Sequence, residues 1–232
     1  MTDGDQMIDR PSPNFDVRTL PVSMVVLHYT GMIDAASAID RLADAEAKVS
    51  AHYVVAEDGQ IIRMVDEDKR AWHAGKSWWR GISDVNSASI GIEIVNPGHE
   101  FGYRPFPEVQ IDAVLHLLGG IVRRYGITRG NVVGHSDVAP ARKDDPGELF
   151  PWHRLAKLRL ALPRPTKNLM DPHWSDAGFL LALERFGYDV TDGPAAVRAF
   201  QRRFRPELMD GIIDGECRAI LLALLLPKPM GD

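Results

Sequence analysis

Short apolar runs rich in β-branched residues alternate with stretches of helical period along most of the chain, and this alternation does most to limit the fold. Met24-Val25-Val26-Leu27 is an apolar run that ends in His28 and reads as a buried strand. Asp34 can cap a helix from Ala35 to about Ala47, with Ala35, Ala38, Ile39 and Leu42 along one face. His52-Tyr53-Val54-Val55 and Ile61-Ile62-Arg63-Met64-Val65 flank the turn Glu57-Asp58-Gly59-Gln60, which predicts a hairpin. Ile90-Gly91-Ile92-Glu93-Ile94-Val95 is a further strand, stopped by Pro97-Gly98. The clearest helix runs from about Pro107 to Tyr125, with Ile111, Val114, Leu115, Leu118, Ile121, Val122 and Tyr125 on one face and Gly126 as its stop. Val132-Val133 then leads into Gly134-His135, and Pro151-Trp152 opens a short helix to about Ala161. Interleaved helices and strands give an α/β class, a mixed central sheet flanked by helices.

Residues 1–20 are rich in Asp and Pro and read as an extended arm, and 21–162 form the α/β domain. Residues 163–167, Pro-Arg-Pro-Thr-Lys, read as a linker. From 168 to 232 three short helical patterns follow, opened by Ser175, Pro194 and Asp214, which predicts a small three-helix domain. The formal net charge is -5, with 27 basic and 32 acidic residues, so there is no basic excess of the kind nucleic-acid binders carry. No apolar run approaches the roughly 20 residues that span a bilayer. The acidic start and absence of an apolar leader point to the cytoplasm, with the periplasm or cell wall as the alternative. The single cysteine, Cys217, allows no intrachain disulfide. A monomer is expected.

Three segments put polar groups at or just beyond the end of an apolar strand: Leu27-His28-Tyr29-Thr30, Gly91-Ile92-Glu93-Ile94, and the run from Gly134-His135 to Asp145-Pro146-Gly147. Two imidazoles and one carboxylate suit a catalytic zinc, because three protein ligands leave a fourth position open. His28, His135 and Asp145 are the candidate ligands. Glu93 is the candidate proton acceptor and donor, and Lys143 the candidate cation for an oxyanion. Each has a bland alternative. His28 can be a core histidine, Glu93 can face solvent, and Asp144 competes with Asp145 in what can be an ordinary turn. Trp72, His73, Trp78 and Trp79 beside Lys76 and Arg80 read either as packing or as a groove wall for sugar and peptide.

The strings His28-Tyr29-Thr30, Ser50-Ala51-His52-Tyr53, Trp72-His73-Ala74-Gly75, Ser89-Ile90-Gly91-Ile92-Glu93, Gly134-His135-Ser136-Asp137 and Lys143-Asp144-Asp145-Pro146-Gly147 strongly resemble the type 2 N-acetylmuramoyl-L-alanine amidase family. Relatives of that family include peptidoglycan recognition proteins. The resemblance covers roughly residues 20–160. It implies one Zn²⁺ per chain and hydrolysis of the amide between the lactyl group and L-Ala of peptidoglycan or muropeptides. It places the metal ligands on His28, His135 and Asp145 and the catalytic pair on Glu93 and Lys143. Tyr29, Trp72, His73, Trp79, Arg80 and Asn86 become expected substrate contacts, and His52 an expected support for a ligand. The competing readings are a recognition module that does not cut and a zinc peptidase acting on another amide. Phe186-Gly187-Tyr188, Ala196-Val197-Arg198-Ala199-Phe200-Gln201 and Gly211-Ile212-Ile213-Asp214-Gly215 resemble, less strongly, a three-helix peptidoglycan-binding domain. Arg218 stands where that domain has a small residue. The expectation is a unit that adds affinity and can be removed without touching the chemistry.

Overall fold

The computed structural model describes residues 7–167 and 169–226, so the parts of the expected arm and C-terminal domain at 1–6, 168 and 227–232 lie outside the described residues. The strands are β1 (Ile8–Asp9), β2 (Phe15–Val17), β3 (Met24–Tyr29), β4 (Tyr53–Val55), β5 (Ile61–Arg63), β6 (Lys69–Ala71), β7 (Ser89–Ile94) and β8 (Val132–Gly134). The helices are α1 (Ala35–Ala43), α2 (Val85–Ala88), α3 (Gly98–Phe101), α4 (Glu108–Tyr125), α5 (His135–Val138), α6 (Trp152–Lys157), α7 (Asp176–Phe186), α8 (Gly193–Phe204) and α9 (Gly215–Leu225). One sheet has the order β1-β5-β4-β7-β3-β8, and β2 and β6 form a small second one. Within the large sheet β4 and β5 are the antiparallel hairpin, and the other neighbours run parallel. The sheet is therefore mixed, as the alternating pattern implies. The arm is extended but not loose, because β1 pairs with β5 and β2 with β6.

Local chemistry sets the helix limits. Asp34 Oδ1 accepts from Ser37 N at 2.8 Å at the start of α1. α1 stops at Ala43 and a separate 3₁₀ turn covers Ala45–Ala47, so the single helix expected there is two elements. The break falls at Asp44, whose extended backbone lets its side chain cap the second turn. Gly126 ends α4 at φ 64°, a conformation glycine adopts without Cβ strain.

The two faces of the sheet are covered differently. Strand alternation sends Val25, Leu27, Ile90, Ile92 and Ile94 to one face, where α4 lays Ile111, Val114, Leu118 and Ile121 on them. On the other face Val54 and Ile62 meet Leu42 of α1, whereas Met24, Val26 and Val133 meet the C-terminal helices. Between these two covers His28 and Glu93 stand on the same face and line a cleft.

The C-terminal helices pack against the α/β part. Phe179, Leu183, Tyr188, Phe200 and Phe204 form one continuous apolar cluster with Met24, Val26, Trp79, Val133 and Val138 of the α/β part. The sequence pattern gives each helix its apolar face, but cannot say whether that face closes on its own helices or on the sheet. Removing these helices would bare the back of β3 and β8, so truncation is expected to destabilise the α/β part. Phe200 has no exposed surface. Phe200→Ala is predicted to lower unfolding free energy by about 3–5 kcal/mol. Denaturant unfolding should show one transition in which near-sheet tryptophan fluorescence and helix signal are lost together. Two separate transitions would contradict the shared core.

Candidate active site

The register of the sheet builds the site. His28 and Glu93 are direct partners in the β3–β7 pairing, so their side chains emerge side by side. Val54 is the partner of Glu93 on the other flank. Two residues before Glu93, Gly91 leaves the room that His73 fills, for a Cβ there would lie 2.5 Å from His73 Cγ. His135 arrives from β8 as the first residue of α5, and Asp145 from the loop beyond it. Ser136 N donates to Asp145 O at 2.9 Å, which ties the two segments together.

Three atoms converge. His28 Nδ1 lies 2.9 Å from His135 Nδ1 and 2.9 Å from Asp145 Oδ2, and His135 Nδ1 lies 3.1 Å from Asp145 Oδ2. Their outer nitrogens assign the protons. His135 Nε2 is 3.0 Å from Ala74 O, a carbonyl that can only accept, so Nε2 carries a hydrogen, and a ring with that one proton has Nδ1 bare. Ser89 Oγ donates to Val85 O at 2.5 Å and so accepts from His73 Nε2 at 3.2 Å. His73 Nδ1 then accepts from His28 Nε2–H at 3.0 Å, which leaves His28 Nδ1 bare as well. Burial, together with the His135 ring, pulls the His28 imidazole down to about 4. Burial and the His28 ring hold His73 well below the ordinary value, so these rings are neutral. Two bare nitrogens and a carboxylate oxygen at such distances repel unless a cation stands among them. The trio could hold a metal ion.

The trio lies in an open cleft of about 560 Å³ that also takes in Glu93 and Lys143. Glu93 Oε2 is buried and has no hydrogen-bond partner among the described residues. Burial, and next the charge of Asp145, raise its carboxyl well above the ordinary range, against the pull of Lys143.

Residues 18–148 match the N-acetylmuramoyl-L-alanine amidase family. The chain belongs to this family. It is similar to N-acetylmuramoyl-L-alanine amidase AmiD of Escherichia coli, with 38% identity covering 88% of this chain and 82% of that protein. It is 35% identical to 1,6-anhydro-N-acetylmuramyl-L-alanine amidase AmpD of the same organism, over 64% of this chain and 89% of AmpD. Among solved structures, that of E. coli AmiD with anhydro-N-acetylmuramic acid-L-Ala-D-γ-Glu-L-Lys superposes with a TM-score of 0.79 at 36% identity, covering 90% of this chain and 91% of AmiD. AmpDh3 of Pseudomonas aeruginosa in complex with anhydromuramic pentapeptide gives 0.71 at 31% identity, covering 96% of each chain.

In this amidase-family chain the expected substrate contacts divide. Tyr29, Trp72 and His73 line the cleft. Trp72 is pinned from behind, its Nε1 donating to Asp16 Oδ2 of the arm at 2.7 Å. Trp79, Arg80 and Asn86, expected beside them, lie outside the cleft lining. Trp79 is 2% exposed, packs edge-on to Tyr188 and donates to Gly130 O, so it belongs to the shared core. Arg80 turns toward the C-terminal helices, and its Nε donates to Phe186 O at 3.0 Å. Asn86 is buried, and its Oδ1 accepts from the backbone N–H of His73 and Ala74. It fixes the loop that carries the ring behind His28. His52 is also one step further back than expected. Its Nδ1 accepts from Gly91 N and its ring lies edge-on to His73, while His73 itself bonds His28.

Sequence reasoning missed three contributors. Ser89 fixes the His73 tautomer, and its place two residues before Gly91 and four before Glu93 on one strand face is a period-2 signal that was there to use. Arg142 donates to the carbonyls of Ala74 and Lys76, and thus braces the carbonyl that orients His135. Arg41 of α1 lines the cleft opposite the loop. Nothing local in the sequence marks Arg41 or Arg142, since their roles depend on distant segments.

The raised carboxyl of Glu93 gives a pH test in metal-free protein. A folded-state value above the unfolded 4.5 means the folded chain binds that proton more tightly, so stability declines as pH rises from about 4.5 toward the folded value. Glu93→Gln cannot ionise and lacks this decline. The variant should match the parent near pH 4 and exceed it increasingly at higher pH, as read by denaturant midpoints. Parallel pH profiles would contradict the buried, unpartnered placement.

Proposed function

We propose that this chain holds one zinc ion through His28 Nδ1, His135 Nδ1 and Asp145 Oδ2 and hydrolyses the amide between the lactyl group of N-acetylmuramic acid and L-Ala. The observation that carries the reading is the convergence of two bare imidazole nitrogens and a carboxylate beside Glu93, whose buried Oε2 has no hydrogen-bond partner among the described residues. Two nitrogens and one oxygen suit zinc and leave a position open to water or substrate. When bound, zinc acts as a Lewis acid that polarises the amide carbonyl and makes water more acidic.

The protein's own groups do the rest. Glu93 Oε2, free of other hydrogen bonds, takes the proton of the attacking water and delivers it to the departing L-Ala nitrogen. Lys143, on the cleft wall, neutralises the negative charge that grows on the carbonyl oxygen. Tyr29 and Trp72 offer aromatic faces to sugar or peptide. The Tyr29 hydroxyl, 3.0 Å from His99 Nδ1, is pushed up to about 12, first by burial and then by Asp145, so it stays a neutral phenol.

Elemental analysis of the purified chain should give one zinc per molecule, and chelation should abolish release of L-Ala peptides. Glu93→Gln is expected to keep zinc and lose about 10²–10⁴ in kcat. Lys143→Ala should lose about 10²–10³, with KM little changed. Mass spectrometry of digests of anhydro-muropeptides and of intact sacculi identifies the bond cut and the sugar form preferred. Near-normal turnover in zinc-loaded Glu93→Gln would sink the assignment of Glu93, and products cut elsewhere would sink the amidase reading.

A further inference from the structure

We infer that the C-terminal helices position the metal ligands, with Tyr188 and α8 acting on the two loops that carry His135 and Asp145. The inference rests on the zinc amidase reading, and concerns how the site is held. His135 opens a four-residue helix, too short to be rigid alone. What fixes it is Asp137. One carboxylate oxygen accepts from Gly134 N at 2.7 Å, just ahead of His135. The other accepts from the Tyr188 hydroxyl at 2.5 Å. Arg203 of α8 lies with its Nε 4.0 Å from the same carboxylate, and both side chains are buried. The Arg203 guanidinium carbon itself lies over the Trp152 ring, 3.1 Å from its centre.

The neighbouring residue reaches the other loop. Arg202 NH2 donates to Asp144 Oδ1 at 2.6 Å, one residue before Asp145. Consecutive residues of α8 thus hold the segments of two of the three ligands. His28 needs no such hold, because it sits inside a six-residue strand paired on both sides. A domain that only tethers the chain to substrate has no need for hydrogen bonds aimed at residues adjoining the metal ligands. Tyr188, Arg202 and Arg203 do not line the cleft and reach Asp137 and Asp144 rather than His135 and Asp145, so they are positioning residues.

Tyr188→Phe removes only the hydroxyl and leaves the ring in the core. Arg202→Gln, on a partly exposed pair, is the second variant, since it leaves the core alone. Both are made in the full chain and checked for folding by circular dichroism. Partners behind metal ligands typically change metal affinity by about 10–100-fold. Tyr188→Phe is therefore expected to weaken zinc binding about 10-fold in chelator competition, and to lower kcat on a soluble muramyl peptide with KM within about 2-fold of the parent. Amide exchange at Gly134 in the metal-free protein should quicken, a readout that needs neither zinc nor turnover. Arg202→Gln should move zinc affinity in the same direction by less. A change in zinc affinity or Gly134 exchange in either folded variant supports the inference. Parental zinc affinity, kcat and Gly134 exchange in both overturn it. Failure of the parent chain to bind zinc or cleave would instead refute the amidase reading, and the exchange measurement would still report on the positioning.

Discussion

The hydrogen bonds on the outer nitrogens of His28 and His135 are the constraint on which the rest of the site depends. Each outer nitrogen donates, His135 to Ala74 O and His28 to His73, so each inner nitrogen is left without a proton. The second of these rests on a relay of His73, Ser89 and Val85 O, and the relay exists only because Gly91 has no side chain where the His73 ring lies. A methyl group at that glycine would push His73 aside and free the tautomer of His28. The electrostatic character of the cleft therefore traces back to one missing Cβ and one serine hydroxyl.

The same sheet face explains why the cleft is open and where it is. α1 and the C-terminal helices each cover one part of it, and the polar residues stand in the gap. The register partners His28 and Glu93 put an imidazole of the trio and a carboxyl at one level of the sheet, which sets their mutual position more firmly than any loop could. The groups that come from loops are held by other means. The Ser136 N to Asp145 O bond, the Arg142 contacts to the 74–76 carbonyls and the grip of α8 on Asp137 and Asp144 all serve that end.

Local pattern was a good guide wherever local energetics decide. The hairpin of β4 and β5, the extent of α4 to Gly126, the Asp34 cap and three C-terminal helices were all legible, because turn chemistry, helical period and caps act within a few residues. The candidate trio was legible as chemistry, two imidazoles and a carboxylate after strand ends, and the structure brings the three side chains together. The aromatic cluster, open in the sequence between packing and a groove wall, divides for an equally physical reason. Trp72 and Trp79 have the same local signal, yet one lines the cleft and the other is sealed by Phe186 and Tyr188, which lie over 100 residues away in sequence. Asn86 likewise carries its amide inward to backbone N–H groups rather than outward to substrate.

The sequence by itself determined the class of fold, the order of its elements and the residue types able to bind a metal and move a proton. Periodicity and donor chemistry are properties of the chain and survive without coordinates. Only the tertiary structure decided which nitrogen of each imidazole faces the site, that His73 rather than His52 backs His28, and that the C-terminal helices share a core with β3 and β8. Those outcomes depend on contacts between segments far apart in the chain, and the free energy of such contacts is set by three-dimensional packing that no local pattern encodes.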